Sequence, residues 1–139
     1  DHPANLFVAG FIGSPGMNLL EGEVVGSANG PVFRTRSGVK LGLPGSLQNL
    51  GLTGPHVLGV RPEHVSLVAD GDIEARVLVV EPTGAETQVV MQMGTQTLTG
   101  VFRDRLDLPY EAPVRLRFDF SKVHLFDERT GANVIPPQR

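Results

Sequence analysis

The stretch VRLRFDF, residues 114–120, decides the fold class. Val114, Leu116, Phe118 and Phe120 alternate with Arg115, Arg117 and Asp119. An extended chain sends successive side chains to opposite faces, whereas a helix would scatter these residues around its circumference. The stretch therefore predicts a β-strand with one face on a core and the other in water. Ile73 to Val80 follows the same rule, with Ile73, Ala75, Val77 and Val79 set against Glu74 and Arg76. Glu86 to Met93 places Thr87, Val89, Met91 and Met93 on one side and Glu86, Gln88 and Gln92 on the other.

Turn signals separate these strands. Glu81-Pro82-Thr83-Gly84-Ala85 offers a proline that presets φ and a glycine that tolerates positive φ. Met93-Gly94-Thr95-Gln96 reads as a second tight hairpin, leading into a strand through Phe102. Upstream, Leu19 to Val25, Val32 to Arg36, Val39 to Leu43, Val57 to Val60 and His64 to Val68 read as shorter, less regular strands. Residues 44–56 read mostly as loop, with room for one short turn. Short strands with frequent turns predict a mostly-β barrel or sandwich. The halves 19–69 and 70–135 each hold several strands, but their sequences do not superpose and no internal repeat stands out.

Only residues 3–13 read as helix, with Asp1 as its cap and Pro3 in its first turn. A helix of about ten residues is marginal alone in water, so it must borrow stability from packing. Leu6, Phe7, Val8, Phe11 and Ile12 cover more than one stripe of it. At roughly 25 cal/mol per Å² of apolar area, leaving two Phe rings wet would forgo a few kcal/mol. Either the helix plugs an open end of its own barrel, or it packs on a larger body upstream. The abrupt start at Asp1 points to a piece cut from a longer chain. Gly13-Ser14-Pro15-Gly16 stops the helix and reads as a structural hinge. No Gly-x-Ser-x-Gly elbow surrounds Ser14, so it is not a candidate nucleophile.

Composition excludes several classes of function. A chain of 139 residues is one domain with room for a core of its own. It has no cysteine, which removes disulfides and thiolate zinc sites and suits a reducing compartment. A net charge of −3 argues against a basic nucleic-acid face or a polybasic membrane patch. No apolar run approaches the roughly 18 residues of a membrane span. His2, His56, His64 and His124 lack short ligand spacing, so no metal is expected. No triad or paired-carboxylate pattern suggests an enzyme, and no cofactor is expected.

Four stretches carry a family resemblance. PANLFVAGFIGSPGMNLL (3–20), VLGVRPEHVSLV (57–68), VVEPTGAETQVV (79–90) and HLFDERTGANVI (124–135) resemble, in order and spacing, segments of the ATP-binding subunits of bacterial sugar ABC importers of the maltose and multiple-sugar type. The first is similar to the junction that follows the ATPase domain. The resemblance implies a C-terminal regulatory domain, an OB-like TOBE barrel of short antiparallel strands with one N-terminal helix. It divides the chain into a junction, 1–18, and the regulatory domain, 19–139. It further implies that two copies pair as a homodimer, keeping two ATPase domains associated, and that regulators of uptake dock on the domain. Permease subunits are partners of the parent protein, which would work at the cytoplasmic face of the membrane without inserting into it. ATP and Mg belong to the ATPase domain; no Gly-x-x-x-x-Gly-Lys-Ser/Thr occurs in this chain, so it has no cradle for their phosphates.

The interface and regulatory candidates follow from these motifs. Phe11, Ser14 and Pro15 belong to the junction. Arg61, Glu63 and His64 put a cation, an anion and a titratable ring around a proline bend, either as a surface turn with a weak ion pair or as a contact between paired domains. Glu81, Gly84 and Glu86 flank a hairpin tip, either as solvated loop residues or as a docking point. Phe126 and Asp127 read either as a core anchor beside a turn-capping carboxylate or as a recognition site, followed by a turn into a last short strand. Asn18 reads as satisfying a turn. Two other functions stay open: an oxyanion sensor using the basic stretch Arg34 to Lys40, and a nucleic-acid-binding OB module. The acidic balance, the lack of Trp and the single Tyr speak against the second.

Overall fold

Alternating apolar residues drive the chain into ten strands among the described residues, 16–135 of a computed structural model. The helix expected over 3–13 lies outside them, and so do Phe11, Ser14 and Pro15. The strands are β1 Asn18–Val25, β2 Val32–Thr35, β3 Lys40–Gly42, β4 Gly54–Val60, β5 Val65–Leu67, β6 Ile73–Pro82, β7 Thr87–Met93, β8 Gln96–Phe102, β9 Pro113–Phe118 and β10 His124–Asp127. A six-residue 3-10 turn, Gly45–Leu50, occupies the segment expected to hold one short turn. A second, Pro62–His64, joins β4 to β5.

The strands form two five-stranded sheets, ordered β10-β4-β1-β2-β3 and β5-β9-β6-β7-β8. All pairs are antiparallel. The sheets curl into a half-barrel of OB/TOBE type. The sequence halves do not map one to one onto the sheets, because β10 from the C-terminal half returns to pair with β4. That return sets Leu125 opposite Leu58 and Phe126 opposite Val57.

One continuous core fills the space between the sheets. The first sheet contributes Leu20, Val24, Phe33, Leu41, Leu58, Val60 and Leu125. The second contributes Ile73, Val77, Val89, Met91, Leu98, Leu116 and Phe118. The faces expected for 114–120 and 86–93 hold: Leu116 and Phe118 are buried between exposed Arg115 and Arg117, and Thr87, Val89, Met91 and Met93 are all buried.

The expected face of 73–80 holds only to Val77. The β6–β7 register shifts between Val77 and Val79, so one extra residue in β6 reverses the alternation beyond it. Val80 then packs against the core while Val79 turns outward, 45% exposed. Both predicted hairpins form. Thr83 N–H donates to Glu86 O at 2.8 Å across a turn with Gly84 at φ 81°. In the β7–β8 turn, Met93 faces Gln96 and Gly94 supplies φ 62°, the conformation a two-residue hairpin needs at its first position.

Candidate functional site

The motifs singled out in the sequence fall into two groups in space. In the first, Arg61-Pro62-Glu63-His64 closes a 3-10 turn in which His64 N–H donates to Arg61 O at 2.9 Å. Proline at its first position fixes φ where no N–H is needed. Glu63, on this turn, and Glu86, 23 residues further along the chain, both line one cleft of about 620 Å³. Val65, Leu67, Val101, Phe102 and Leu106 are its apolar lining, and Arg103 and Asp104 also line it. One residue of each motif therefore shares a cleft, although neither motif announces the other in sequence; Glu81 and Gly84 are not in its lining.

Backbone pairing fixes these groups. Asp119 N–H donates to His64 O at 3.0 Å, continuing the β5–β9 ladder past the end of β5. The Asp119 carboxyl is held below its ordinary value, first by the Ser121 hydroxyl that donates to it at 2.6 Å and then, against some desolvation, by the Ser121 N–H, His64 and Lys122. His64 Nδ1 is buried without a hydrogen-bond partner. Thr87, a buried hydroxyl on the apolar face of β7, donates to Asp104 O at 3.0 Å and ties down the loop that lines the cleft. Glu63, Glu81, Gly84 and Glu86 are all exposed.

The second group is on the other sheet, and the fold does not bring it to the cleft. Phe126 is fully buried, as an anchor, yet not in the main core. With Val57, and with Met17 and Leu19 packed against them, it forms a separate apolar cluster on the outer face of the first sheet. The His124 ring stacks on it, with centroids 6.2 Å apart. Asp127 caps the turn as expected. Its Oδ1 accepts the Arg129 N–H at 2.8 Å and the Thr130 N–H at 3.2 Å. Those two bonds, the Arg129 one foremost, lower the Asp127 carboxyl below the ordinary aspartate value, with Arg129 and His56 adding to them and desolvation opposing. The last strand shrinks to a single bridge, Phe126 with Asn133.

Two readings change. Asn18 does not satisfy a turn: its carboxamide joins the two sheets. Its Oδ1 accepts Thr99 N–H at 2.8 Å, while its Nδ2 donates to Thr99 O at 2.9 Å and Val60 O at 3.1 Å. The side chain thus stands in for a missing strand residue along the edge of β8. Asn18 and Thr99 are 81 residues apart, and no local pattern marks such a contact. The basic stretch Arg34 to Lys40 is the β2–β3 hairpin, and its arginines face carboxylates. Arg34 pairs with Glu23, and Arg36 with Glu21 at 3.1 Å and Glu128 at 3.4 Å. Their charge is compensated within the chain, which leaves little field for an oxyanion there.

Comparison with known proteins agrees with this geometry. Residues 13–65 match the family model described as the MalK OB fold domain, and residues 58–126 match that of the TOBE domain. An uncharacterized ABC transporter ATP-binding protein of Sinorhizobium fredii is 45% identical over 96% of this chain and 35% of its own length. The trehalose/maltose import ATP-binding protein MalK of Thermococcus litoralis is 37% identical over 97% of this chain and 39% of its own. The chain thus spans little more than a third of the length of these relatives. Among solved structures, the cytoplasmic molybdate-binding protein ModG, with molybdate bound, superposes with a TM-score of 0.61 at 20% identity, covering 78% of this chain and 94% of that one. At that identity the likeness is one of fold. Two overlapping family models along one shared core, with relatives of the same kind matching across nearly the whole chain, lead to one assignment: the chain belongs to the MalK-type OB-fold and TOBE domains of ABC transporter ATP-binding proteins.

Proposed function

We propose that this domain is the regulatory and dimerisation module of the ATP-binding subunit of a carbohydrate ABC importer. The observation that carries the reading is the 37% identity, across nearly the whole chain, to a trehalose/maltose import ATP-binding protein. Residues 1–18 serve as the junction to an ATPase domain and residues 19–139 as the module itself. ATP and Mg bind in that ATPase domain, and this module needs no cofactor and catalyses no reaction. In the assembled transporter the ATP-binding subunit lies at the cytoplasmic face of the membrane, where permease subunits receive the motor. Among the described residues no helix is long and apolar enough to cross a membrane.

The module's work is mechanical. Holding two ATP-binding subunits together keeps each motor at high effective concentration for the other, so the pair reassembles after each opening. A scaffold with one core across two sheets suits this, because a packed interior transmits displacement with little deformation. The cleft flanked by Glu63 and Glu86 offers regulators a rigid, acidic-rimmed docking point. Sedimentation equilibrium of the chain over a wide concentration range tests the reading. The weight-average mass is expected to rise toward that of a dimer, and a strictly monomeric chain at the highest concentration would overturn dimerisation through this module.

A further inference from the structure

We propose that Asn29-Gly30, at the tip of the β1–β2 hairpin, is a site of spontaneous covalent modification, where water converts the asparagine to aspartate and isoaspartate. Asn29 is the one asparagine of the sequence followed by glycine; Asn5, Asn18 and Asn49 precede leucine and Asn133 precedes valine. The reaction needs the backbone nitrogen of the next residue to reach the asparagine side chain. Glycine has no side chain to block that approach.

The fold leaves this pair open. Ser27, Ala28 and Asn29 are exposed and Gly30 is half-buried. Ser27 N–H donates to Gly30 O and Gly30 N–H to Ser27 O, both at 3.1 Å, so Ala28 and Asn29 alone form the loop. The Asn29 N–H donates to Ser27 Oγ at 3.3 Å, but the Asn29 carboxamide has no partner among the described residues. Asn18 and Asn133 differ, because hydrogen bonds hold both of their carboxamides. The Gly30 N–H must leave Ser27 O before its nitrogen can attack. That bond closes the exposed end of a hairpin, where local opening costs least.

Asp70-Gly71, the one Asp-Gly pair of the sequence, shows what protects such a dipeptide. Gly71 is buried; its N–H donates to Val68 O at 3.0 Å and its carbonyl oxygen accepts the Arg115 guanidinium at 3.1 Å. A Cβ on Gly71 would lie 2.5 Å from Leu116 O, so the backbone there has no room to swing. The Asp70 carboxylate is itself paired with Arg117 at 3.2 Å. Both pairs present a short polar side chain to a glycine nitrogen, and only the one at Asn29 is free to move.

At Asn29 the step balances with water as the sole co-reactant. The Gly30 nitrogen gives its proton to solvent base and attacks the side-chain carbonyl carbon of Asn29. A C–N bond forms as the bond to the carboxamide nitrogen breaks, and that nitrogen takes up a proton and leaves as ammonia. Water then opens the resulting succinimide at either carbonyl, leaving aspartate or isoaspartate, with nothing oxidised or reduced. Either product adds one negative charge to the net −3 of the chain. Isoaspartate also routes the backbone through the former side chain, and the added methylene strains the paired Ser27–Gly30 bonds.

Incubation of the full chain in warm, mildly alkaline buffer tests this, read by isoelectric focusing, peptide mass mapping and enzymatic methylation of isoaspartate. The native chain is expected to gain one acidic species modified at residue 29, and to gain it faster as pH rises, since the attacking nitrogen must lose its proton. In urea the conversion is expected to run about tenfold faster or more, because the turn no longer has to open first. N29A keeps the exposed loop without the reacting group, and is expected to yield no acidic species and an unchanged circular dichroism spectrum. A native chain that stays unmodified while the urea-treated chain converts would overturn the proposal. So would an acidic species that persists in N29A, or native-state isoaspartate that maps to residue 70; equal rates with and without urea would overturn the part given to the turn.

Discussion

Asn18 lies between an apolar methionine and an apolar strand, with nothing in its neighbourhood to distinguish it from a loop asparagine. In the fold its carboxamide reproduces the donor and acceptor of a peptide group and satisfies the backbone of Thr99 from the opposite sheet. N18A is expected to cost about 1–3 kcal/mol in urea unfolding, because partly buried backbone groups lose their partners. N18D is expected to cost more, since it places oxygen against the carbonyls of Val60 and Thr99. Asp127 is the opposite case. Its role was legible because its bonds run two and three residues ahead, to Arg129 and Thr130, a turn that aspartate makes by itself.

Strands are where the sequence pattern and the tertiary structure meet. Unbroken alternation located β7 and β9, but the bulge in β6 escaped it, because Leu78, Val79 and Val80 are all apolar and give no sign of which residue is extra. β10 escaped as well: three consecutive buried residues, His124, Leu125 and Phe126, show no alternation, since both faces of that strand are covered. At Gly22 the constraint is close approach. A Cβ there would lie 2.3 Å from the Arg34 carbonyl oxygen and 2.8 Å from the Phe33 ring, and a backbone atom in a paired strand cannot yield cheaply. G22A is therefore expected to destabilise by about 1–3 kcal/mol as overpacking of the β1–β2 pair. G42A, whose Cβ would meet nothing within 4 Å, is expected to stay within about 0.5 kcal/mol of the parent in the same denaturant titration.

The whole molecule stands on one core with polar ties at its margins, and two of those ties give it an acid limit. Asp119 and Asp127 both have carboxyls lowered by hydrogen bonds from their own turns. A folded carboxyl that holds its proton less tightly than the unfolded one contributes stability that is complete above the unfolded value near 4. That contribution is lost as pH falls through the lowered folded values. The melting temperature is accordingly expected to drop as pH falls below about 4, and to drop less steeply in the D119N/D127N chain. Parallel pH profiles for the two chains would overturn the assignment.

Local chemistry was readable from the residues alone. Alternation, hairpin turns, the proline bend and the aspartate cap each involve groups within a few positions of one another, so the mostly-β class and most strand positions were legible. The pairing of β10 with β4, the Asn18 tie and the shared cleft of Glu63 and Glu86 were decided by the tertiary structure. Each depends on which distant strands become neighbours. Packing energy sets that across both sheets at once, and a pattern with a period of two residues carries no record of it.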